Sequence, residues 1–281
     1  MALADVEKAP LNALADQLLA AGGTVTTGVV DVSDGAAVSA FAASVEAEFG
    51  CVDMVVANAG VIGPRRPLWE QSAQDWEWII GVNLLGVSNT WAPFLPTMVK
   101  RGTGHLVATS SIAGLAPAMS GNAPYATTKH GIVGMAEVLR MDLAEVAPDI
   151  GVTVLFPGPV RTRIREAVRN RPDSLGGPDG VAAFSSDHQF DVESIEPRDV
   201  ALHLLAALAR GDRYVMPNSE YVESTATHLV EVAEGLRTSN TADPTRGLGY
   251  EGEDQGRSPS VGTSIHPLAV ETLSDDQPKV C

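Results

Sequence analysis

Positive charge and cysteine are scarce in this chain of 281 residues. Lys and Arg number 19 against 35 Asp and Glu, so the formal net charge at pH 7 is −16. Such a chain is repelled by nucleic-acid phosphates and by anionic membranes. The arginines between Arg161 and Arg169 do not extend into a longer basic run. We therefore expect no nucleic-acid partner.

Long apolar runs and a secretory signal are also lacking. No stretch approaches the roughly 18 uninterrupted apolar residues that a membrane helix needs. The N-terminus has no basic segment followed by an apolar one. The two cysteines, Cys51 and Cys281, are too few for a disulfide framework or a metal cluster and fit a reducing cytosol. The sequence predicts a cytoplasmic protein with no membrane span and no bound metal.

Two parts of the chain differ in pattern. Residues 238–281 are rich in Gly, Pro, Ser, Thr and acidic residues, with Tyr250 as their one aromatic residue. Such a segment buries too little apolar surface to offset the entropy of ordering, so it is predicted to be a disordered acidic tail. Residues 1–237 are predicted to form one folded domain.

Short apolar runs alternate with helical periods along residues 1–237. The predicted strands are 24–30, 52–57, 105–110, 151–156 and 213–216, and the main predicted helices are 38–49, 74–100, 125–145 and 197–209. Ser33 is a candidate N-cap for the first of these helices. Pro93 and Pro96 are expected to bend or break the second. This alternation predicts an α/β fold with a doubly wound parallel sheet, whose ligands lie outside the carboxyl ends of the strands.

Small and polar residues follow these predicted strands. They are Asp31, Asn58 to Gly60, Thr109 to Ser111, and Pro157 to Val160. Any one such loop is ordinary in composition. Four of them at the same edge of the sheet favour a ligand site.

Tyr125 and Lys129 are spaced four residues apart, which places both side chains on one helix face. A nearby ammonium stabilises a phenolate and lowers its pKa, so this pair can exchange a proton with a substrate oxygen. Ser111 lies 14 residues earlier, at a strand end, where its hydroxyl could polarise a carbonyl.

Several motifs occur together in one order: Asn58-Ala-Gly60, Asn83 within Val-Asn-Leu-Leu-Gly, Ser110-Ser-Ile-Ala-Gly114, Tyr125-x-x-x-Lys129 and Pro157-Gly158. In order and spacing they resemble the short-chain dehydrogenase/reductase family, and the resemblance covers residues 1 to about 235. It implies a Rossmann-like fold and hydride transfer between a nicotinamide cofactor and an alcohol or ketone.

The resemblance implies four catalytic residues. Tyr125 would be the general acid/base, and Lys129 would hold the nicotinamide ribose and lower the pKa of Tyr125. Ser111, chosen over Ser110 because of its spacing to Gly114, would orient the substrate oxygen. Asn83 would hold a water in a proton relay towards Lys129.

The resemblance also implies a set of cofactor contacts from the strand ends. Asp5 would bind the adenosine ribose and favour NAD over NADP, because a carboxylate repels a 2′-phosphate. The remaining implied contacts are Asp31, Val32, Asn58, Ala59, Gly60, Pro157, Gly158, Val160 and Thr162, together with Tyr125 and Lys129. A homodimer or homotetramer and a largely apolar substrate are also expected, with Val61, Ile62, Leu115, Met119 and Phe156 lining part of the pocket.

One departure from the family pattern stands out. The Thr-Gly-x-x-x-Gly-x-Gly turn, which follows the family's first strand and holds the pyrophosphate, does not occur in this sequence. Residues 1–5 resemble the family's second strand. We therefore expect a gap or a substituted strand between residues 1–5 and 52–57, from either a longer natural chain or a damaged one.

Two alternatives to an active dehydrogenase remain at this point. One is an inactive relic that acts only by association or binding, which the joint presence of Ser111, Tyr125, Lys129 and Asn83 disfavours. The other is an epimerase or dehydratase of the extended branch of the family. The Asn-Ala-Gly motif and the lack of a large C-terminal domain argue against that alternative.

Overall fold

The computed structural model describes residues 1–116, 120–178 and 194–241. Parallel strands alternate with helices, which confirms the predicted Rossmann-like α/β fold. The strands are β1 Ala2–Asp5, β2 Thr26–Val29, β3 Met54–Ala57, β4 Gly104–Thr109, β5 Ile150–Leu155 and β6 Tyr214–Val215. The helices are α1 Lys8–Ala20, α2 Gly35–Phe49, α3 Ala73–Ile80, α4 Gly86–Trp91, α5 Leu95–Arg101, α6 Ala123–Val146, α7 Pro197–Arg210 and α8 Val222–Thr241.

The strands form two separate parallel sheets. One contains β1 and β2, with Asp5 opposite Val29, and the other has the order β3-β4-β5-β6. In the larger sheet Ala57 lies opposite Ala108, and Thr109 lies opposite Leu155. No strand pairing joins β1 to β3 within the described residues. This interruption is the gap that the sequence predicted between residues 1–5 and 52–57.

The core is densest around β4. Leu106, Val107 and Ala108 are fully buried, since this strand is paired on both sides within the larger sheet. Ile132 and Ala136 of α6 are also fully buried and belong to the main apolar core. The outer part of the fold is less covered, because Val29 is 58%, Met54 43% and Val56 41% exposed.

The region between β3 and β4 contains the predicted break. A π-helical turn, Gly81–Leu85, joins α3 to α4, and α4 ends at Trp91, two residues before Pro93. The next helix, α5, begins at Leu95 with Pro96 in its first turn, where the missing amide hydrogen costs nothing. The predicted helix over 74–100 is therefore three shorter helices.

The N-cap predicted at Ser33 is wrong. Asp34 caps α2, and its carboxylate accepts the backbone N–H groups of Ala36 and Ala37 at 3.0 Å each. The Ser33 hydroxyl donates instead to Asp31, at 2.7 Å. Two adjacent residues could each cap this helix, and the carboxylate is the one that reaches the free amides.

The chain divides into two units, residues 1–229 and 230–281. The second unit is described only for the last part of α8, which ends at Thr241. The predicted domain boundary at 237/238 falls within this helix, and the tail from residue 242 lies outside the described residues. Among the described residues, no helix has the length and apolar character needed to cross a membrane.

Candidate active site

Tyr125 and Lys129 both lie in the first two turns of α6. Their side chains face the end of β4 and are buried, with 9% and 2% of their surface exposed. The Lys129 Nζ lies 5.5 Å from the centre of the Tyr125 ring. It donates a hydrogen bond of 2.8 Å to the backbone carbonyl of Thr109, the last residue of β4. The helix therefore fixes the phenol and the amine together at the sheet edge.

The pKa of Tyr125 shifts in the direction opposite to the one predicted. Burial raises the pKa of Tyr125, and a hydrogen bond with Ser111 opposes that rise without cancelling it. Burial also lowers the pKa of Lys129 to about 7, so near neutral pH this amine carries its charge only part of the time. A partly neutral amine cannot supply the full electrostatic effect that the Tyr–Lys spacing suggested.

Two neighbouring serines follow β4, and their hydroxyls have different partners. The Ser110 hydroxyl donates to the backbone carbonyl of Lys129 at 2.8 Å, so it is used in packing β4 against α6. The Ser111 hydroxyl donates to the Pro157 carbonyl at 3.4 Å and accepts the Ala113 amide at 3.2 Å, and it lies near enough to Tyr125 to act on the pKa of the phenol. This arrangement makes Ser111 the serine beside the phenol.

Asn83 is fully buried in the π-helical turn. Its side chain pairs with the backbone of Val61 in both directions, since Oδ1 accepts the N–H at 2.8 Å and Nδ2 donates to the carbonyl at 2.9 Å. Nδ2 also lies 3.3 Å from the hydroxyl of Thr128, which in turn donates to the carbonyl of Tyr125. The amide side chain thus ties the helix bend to the loop after β3 and to α6.

Gly60 lies against these groups. A Cβ built on Gly60 would lie 3.5 Å from Lys129 Nζ and 3.6 Å from Asn83 Oδ1, both ordinary contact distances. The residue beside the amine therefore carries no side chain, which fits a ribose held by Lys129, as the resemblance implies.

The predicted residues of the larger sheet lie along its carboxyl edge. The Asn58 side chain accepts the Thr109 hydroxyl at 3.0 Å, which links the ends of β3 and β4. The amide of Gly158 donates to Asn218 at 2.9 Å, and Val160 pairs with Ile195 in an isolated bridge. The structure therefore brings Asn58, Ala59, Gly60, Pro157, Gly158, Val160 and Thr162 to the side of the sheet that carries Tyr125.

Asp5, Asp31 and Val32 belong to the smaller sheet. Asp5 ends β1 and accepts the backbone N–H of Glu7 at 2.8 Å, and Asp31 follows the neighbouring strand β2. The Val32 carbonyl accepts the Asn89 side chain at 2.8 Å, which ties this loop to α4. Among the described residues, no strand pairing joins the sheet that these three residues adjoin to the larger sheet.

Only some of the apolar residues expected to line the substrate pocket lie beside Tyr125. Ile62 packs against Tyr125 and Ala113, with Ile164 beside them. Phe156 belongs to the main core and is 1% exposed, and Leu115 packs against the same core, so neither is placed beside the phenol. Val61 packs in another cluster, with Trp78 and Ile79. Met119 lies outside the described residues.

Sequence reasoning missed three residues that hold the site in shape. Thr128 and Asn218 are buried polar residues that bridge backbone segments, and Glu7 binds the segment after β5. Thr128 lies within the Tyr-x-x-x-Lys motif, so its spacing from Tyr125 was a usable signal. Asn218 and Glu7 act across long sequence separations that no local pattern reveals.

The sequence of this chain matches a known protein family. Residues 1–173 match the family model described as short chain dehydrogenase, and the chain belongs to the short-chain dehydrogenase/reductase family of oxidoreductases. A C alpha-dehydrogenase of Sphingobium sp. is 29% identical over 242 residues, which cover 83% of this chain and 77% of the relative. An "Uncharacterized NAD-dependent oxidoreductase" of Mycobacterium tuberculosis is 41% identical over 138 residues, about half of each protein.

Solved structures agree with this assignment. A short chain dehydrogenase/reductase of Burkholderia phymatum, crystallised with NAD, superimposes with a TM-score of 0.76 at 31% identity. The match covers 86% of this chain and 87% of that one. The shared architecture therefore extends well beyond the residues of the local motifs.

Proposed function

We propose that the chain transfers a hydride between a nicotinamide cofactor, with NAD favoured, and an alcohol or ketone. The observation that carries this proposal is the convergence of Ser111, Tyr125 and Lys129 at the end of β4, with the Ser111 hydroxyl near enough to the phenol to act on its pKa. A hydroxyl pair of this kind can bind one substrate oxygen and exchange one proton with it.

The chain supplies the acid–base half of this reaction. The bound nicotinamide supplies the hydride acceptor or donor. Burial raises the pKa of Tyr125, so its Oη stays protonated near neutral pH and can donate to the oxygen of a ketone during reduction. Oxidation of an alcohol requires Tyr125 Oη to lose its own proton first, so that it can accept the proton of the alcohol. We therefore expect reduction to be favoured near neutral pH, and oxidation to gain as the pH rises.

The remaining residues position this proton exchange. Ser111 orients the substrate oxygen through its hydroxyl. Lys129 holds the nicotinamide ribose on the side where Gly60 carries no side chain. Hydrogen bonds to Val61 and Thr128 occupy the Asn83 side chain. Its proposed part in a proton relay is therefore to hold the helix bend in a shape that accommodates a water.

NAD is favoured by Asp5, whose carboxylate would accept the hydroxyls of the adenosine ribose and repel a 2′-phosphate. The oxidoreductase of M. tuberculosis is named NAD-dependent, and the B. phymatum structure contains NAD, which supports the same choice. Asp31, Val32, Asn58 and Ala59 are proposed to line the adenosine. Pro157, Gly158, Val160 and Thr162 are proposed to line the nicotinamide.

The substrate is proposed to be a small and largely apolar alcohol or ketone. Its support is the apolar contact of Ile62, Ala113 and Ile164 with Tyr125. A cytoplasmic location is also proposed from the low cysteine content, which did not predict that Cys51 is disulfide-bonded in the structure.

A homo-oligomer is proposed from the surface between α4, α5 and α6. A groove of about 460 Å³ there is lined mostly by apolar residues, including Trp91, Leu95, Met135 and Leu139, and the neighbouring Val138 is 57% exposed. Val87 of α4 and Ile132 of α6 do not contribute to this surface, because both are buried in the core. Light scattering is expected to give a dimer or tetramer, and Val138→Asp is expected to shift it towards the monomer.

A second candidate function, binding without catalysis, is favoured by the separation of the two sheets between β1 and β3. That separation interrupts the side of the fold where the cofactor would lie, and it leaves the oligomer groove intact. Turnover is the measurement that separates the two candidates.

The test is Tyr125→Phe, with Tyr214→Phe as the matched control. Tyr214 is 48% exposed, and its hydroxyl hydrogen-bonds to Arg140, away from the site. Turnover of a panel of apolar ketones with NADH would be followed by the loss of reduced nicotinamide and by product formation. Tyr125→Phe is expected to lower it by about 10²- to 10⁴-fold and the control to leave it unchanged. Equal activity in both variants would rule out the proposed acid–base role. No turnover in the unmodified protein would favour the binding function.

A further inference from the structure

Three side chains from the segment after β5 converge on one carboxylate after β1. Arg163 Nη2 lies 3.1 Å from one oxygen of Glu7, while the other oxygen accepts Arg169 Nη2 and, at 3.0 Å, Asn170 Nδ2. Arg169 Nη1 also donates to the Arg163 carbonyl at 3.1 Å, which holds the two arginines together. This group, the Glu7 cluster, connects residues 156 to 163 positions apart in the sequence.

The Glu7 cluster carries an excess of positive charge. Two guanidinium groups face one carboxylate, within a chain whose net charge is −16. The Arg163 and Arg169 side chains remain 53% and 31% exposed, so an anion from solution can reach them. Exposed ion pairs contribute little to stability, so stability alone does not account for a second arginine.

The cluster lies between the two proposed ends of the cofactor site. Arg163 directly follows Thr162, which is proposed at the nicotinamide end. Its partner Glu7 donates its backbone N–H to Asp5, which is proposed at the adenosine ribose. The phosphate groups of a dinucleotide connect these two ends. Guanidinium groups bind phosphate in a bidentate manner and are well suited to that position.

We propose that Arg163 and Arg169 together form a phosphate-binding site for the dinucleotide, and that Glu7 is the counter-ion which the phosphate displaces. This inference rests on the proposed function, because it assumes a nicotinamide cofactor at this edge of the fold. The arginines would bind the phosphate in place of the backbone amides of the glycine-rich turn, a motif that does not occur in this sequence.

Glu7 sets the affinity of the phosphate-binding site. Hydrogen bonds from Arg169 and Asn170 hold the pKa of Glu7 at about 2, so its carboxylate is charged at any pH at which the protein would be assayed. It therefore competes with a phosphate for the same two guanidinium groups. Removing its charge is expected to strengthen phosphate binding, whereas removing either arginine is expected to weaken it.

The phosphate can come from two parts of the cofactor, and the probes distinguish them. ADP-ribose carries the pyrophosphate without a 2′-phosphate, 2′-AMP carries a 2′-phosphate without the pyrophosphate, and adenosine carries neither. Each would be titrated into the 281-residue protein and its variants by ligand-observed NMR, which detects weak binding. Arg161→Gln is the matched control, because Arg161 lies in the same segment and pairs with Glu196 instead.

Arg163→Gln and Arg169→Gln are each expected to weaken binding of ADP-ribose by about tenfold or more, the loss of one charge-assisted contact. Glu7→Gln is expected to strengthen it by up to about fivefold, and Arg161→Gln to leave it unchanged. The same pattern with 2′-AMP alone would support the site and assign it to the 2′-phosphate. In the unmodified protein, added salt should weaken ADP-ribose binding and leave adenosine binding unchanged.

The inference is overturned if the arginine variants bind both phosphate probes as tightly as the unmodified protein. It is also overturned if neither probe binds more tightly than adenosine. These results do not depend on turnover, so they leave the Tyr125 test of the proposed function unaffected. Loss of turnover in Tyr125→Phe likewise says nothing about the arginines.

Discussion

The two sides of the proposed cofactor site differ in how they are held. Ser111, Tyr125 and Lys129 lie at the end of β4, in the four-stranded sheet, and are 8%, 9% and 2% exposed. Asp5 and Asp31 lie at the end of the separate two-stranded sheet, where Asp5 is exposed and Asp31 is half-buried. The groups proposed to exchange protons are therefore fixed by the core, and those proposed for the adenosine are fixed mainly by short local contacts.

This difference teaches that the geometry for catalysis and the geometry for cofactor binding can be supported separately in one fold. The catalytic groups depend on the packing of β4 against α6, which the sheet interruption does not touch. The position of the adenosine side relative to the larger sheet would be set by strand pairing between β1 and β3, and the interruption removes that pairing. We expect substitutions on the two sides to have unequal effects.

The largest effect on stability is expected at Asp75, on the catalytic side. Asp75 and Arg171 form an ion pair with a 2.6 Å contact, each with 2% of its side chain exposed. Asp75→Asn leaves the Arg171 charge buried without its carboxylate, so the free energy of unfolding is expected to fall by about 3–5 kcal/mol. Urea denaturation measures this change.

Glu7→Gln is the corresponding change on the adenosine side. Its arginine partners are far more exposed than Arg171, so a loss of about 1 kcal/mol or less is expected. Equal losses of unfolding free energy in Asp75→Asn and Glu7→Gln would show that the two sides are held equally well. That result would contradict the difference proposed between them.

A second effect is expected at Gly114, where β4 and α6 approach closely. A Cβ on Gly114 would lie 2.3 Å from the Ser110 hydroxyl oxygen and 2.6 Å from the Lys129 carbonyl oxygen. Gly114→Ala is therefore expected to cost about 1–3 kcal/mol in the free energy of unfolding and to move Lys129. Both urea denaturation and turnover would register this shift.

Gly235→Ala is the control for that substitution. Gly235 lies within α8, and a Cβ there meets nothing within 4 Å. It is expected to stabilise the helix by up to about 1 kcal/mol, because alanine loses less backbone entropy than glycine. Similar losses at Gly114 and Gly235 would contradict the close packing assigned to Gly114.

The last effect concerns the pH dependence of stability. Lys129 binds its proton less tightly in the folded state, where its pKa is about 7, than in the unfolded state, where it is near 10.5. Between these values the unfolded protein holds more protons, so this residue makes stability rise with pH, by up to about 1.4 kcal/mol per pH unit. Urea denaturation at pH 7, 8 and 9 is expected to show this rise, and Lys129→Met is expected to remove it.

Lys100→Met, at an exposed position on α5, is the control for Lys129→Met. It is expected to leave the pH dependence unchanged. If Lys129→Met also left it unchanged, the amine would not be held in the low-polarity environment described here.

Much of this architecture could be predicted from local sequence. The largely apolar run Val52–Ala57 correctly predicted a strand, and Pro93 and Pro96 predicted the break between α4 and α5. That run also predicted a strand buried on both faces, which is wrong, because Met54 and Val56 of β3 are 43% and 41% exposed. The Tyr-x-x-x-Lys spacing correctly predicted that the phenol and amine share a helix face, because helix geometry alone determines it. The glycine-rich motif missing from the sequence correctly predicted the interrupted sheet.

Features that depend on tertiary packing could not be predicted in this way. The pKa of Tyr125 rises because the folded core buries it, whereas the spacing to Lys129 suggested a fall. Phe156 was expected near the substrate, but it lies in the core beneath the sheet edge. The Glu7 cluster joins residues more than 150 positions apart, so no local pattern could indicate it.

Calorimetric titration of NAD into the 281-residue protein tests the central comparison most directly. The catalytic side is fixed, but the adenosine side is separated from it by the sheet interruption, and the described residues contain no glycine-rich turn for the pyrophosphate. We predict weak, salt-sensitive binding, with a dissociation constant of about 1 mM or higher, that is, a binding free energy no stronger than about −4 kcal/mol. Binding at about 1 μM, unaffected by salt, would contradict the account, because it would require an adenosine side as well organised as the catalytic one.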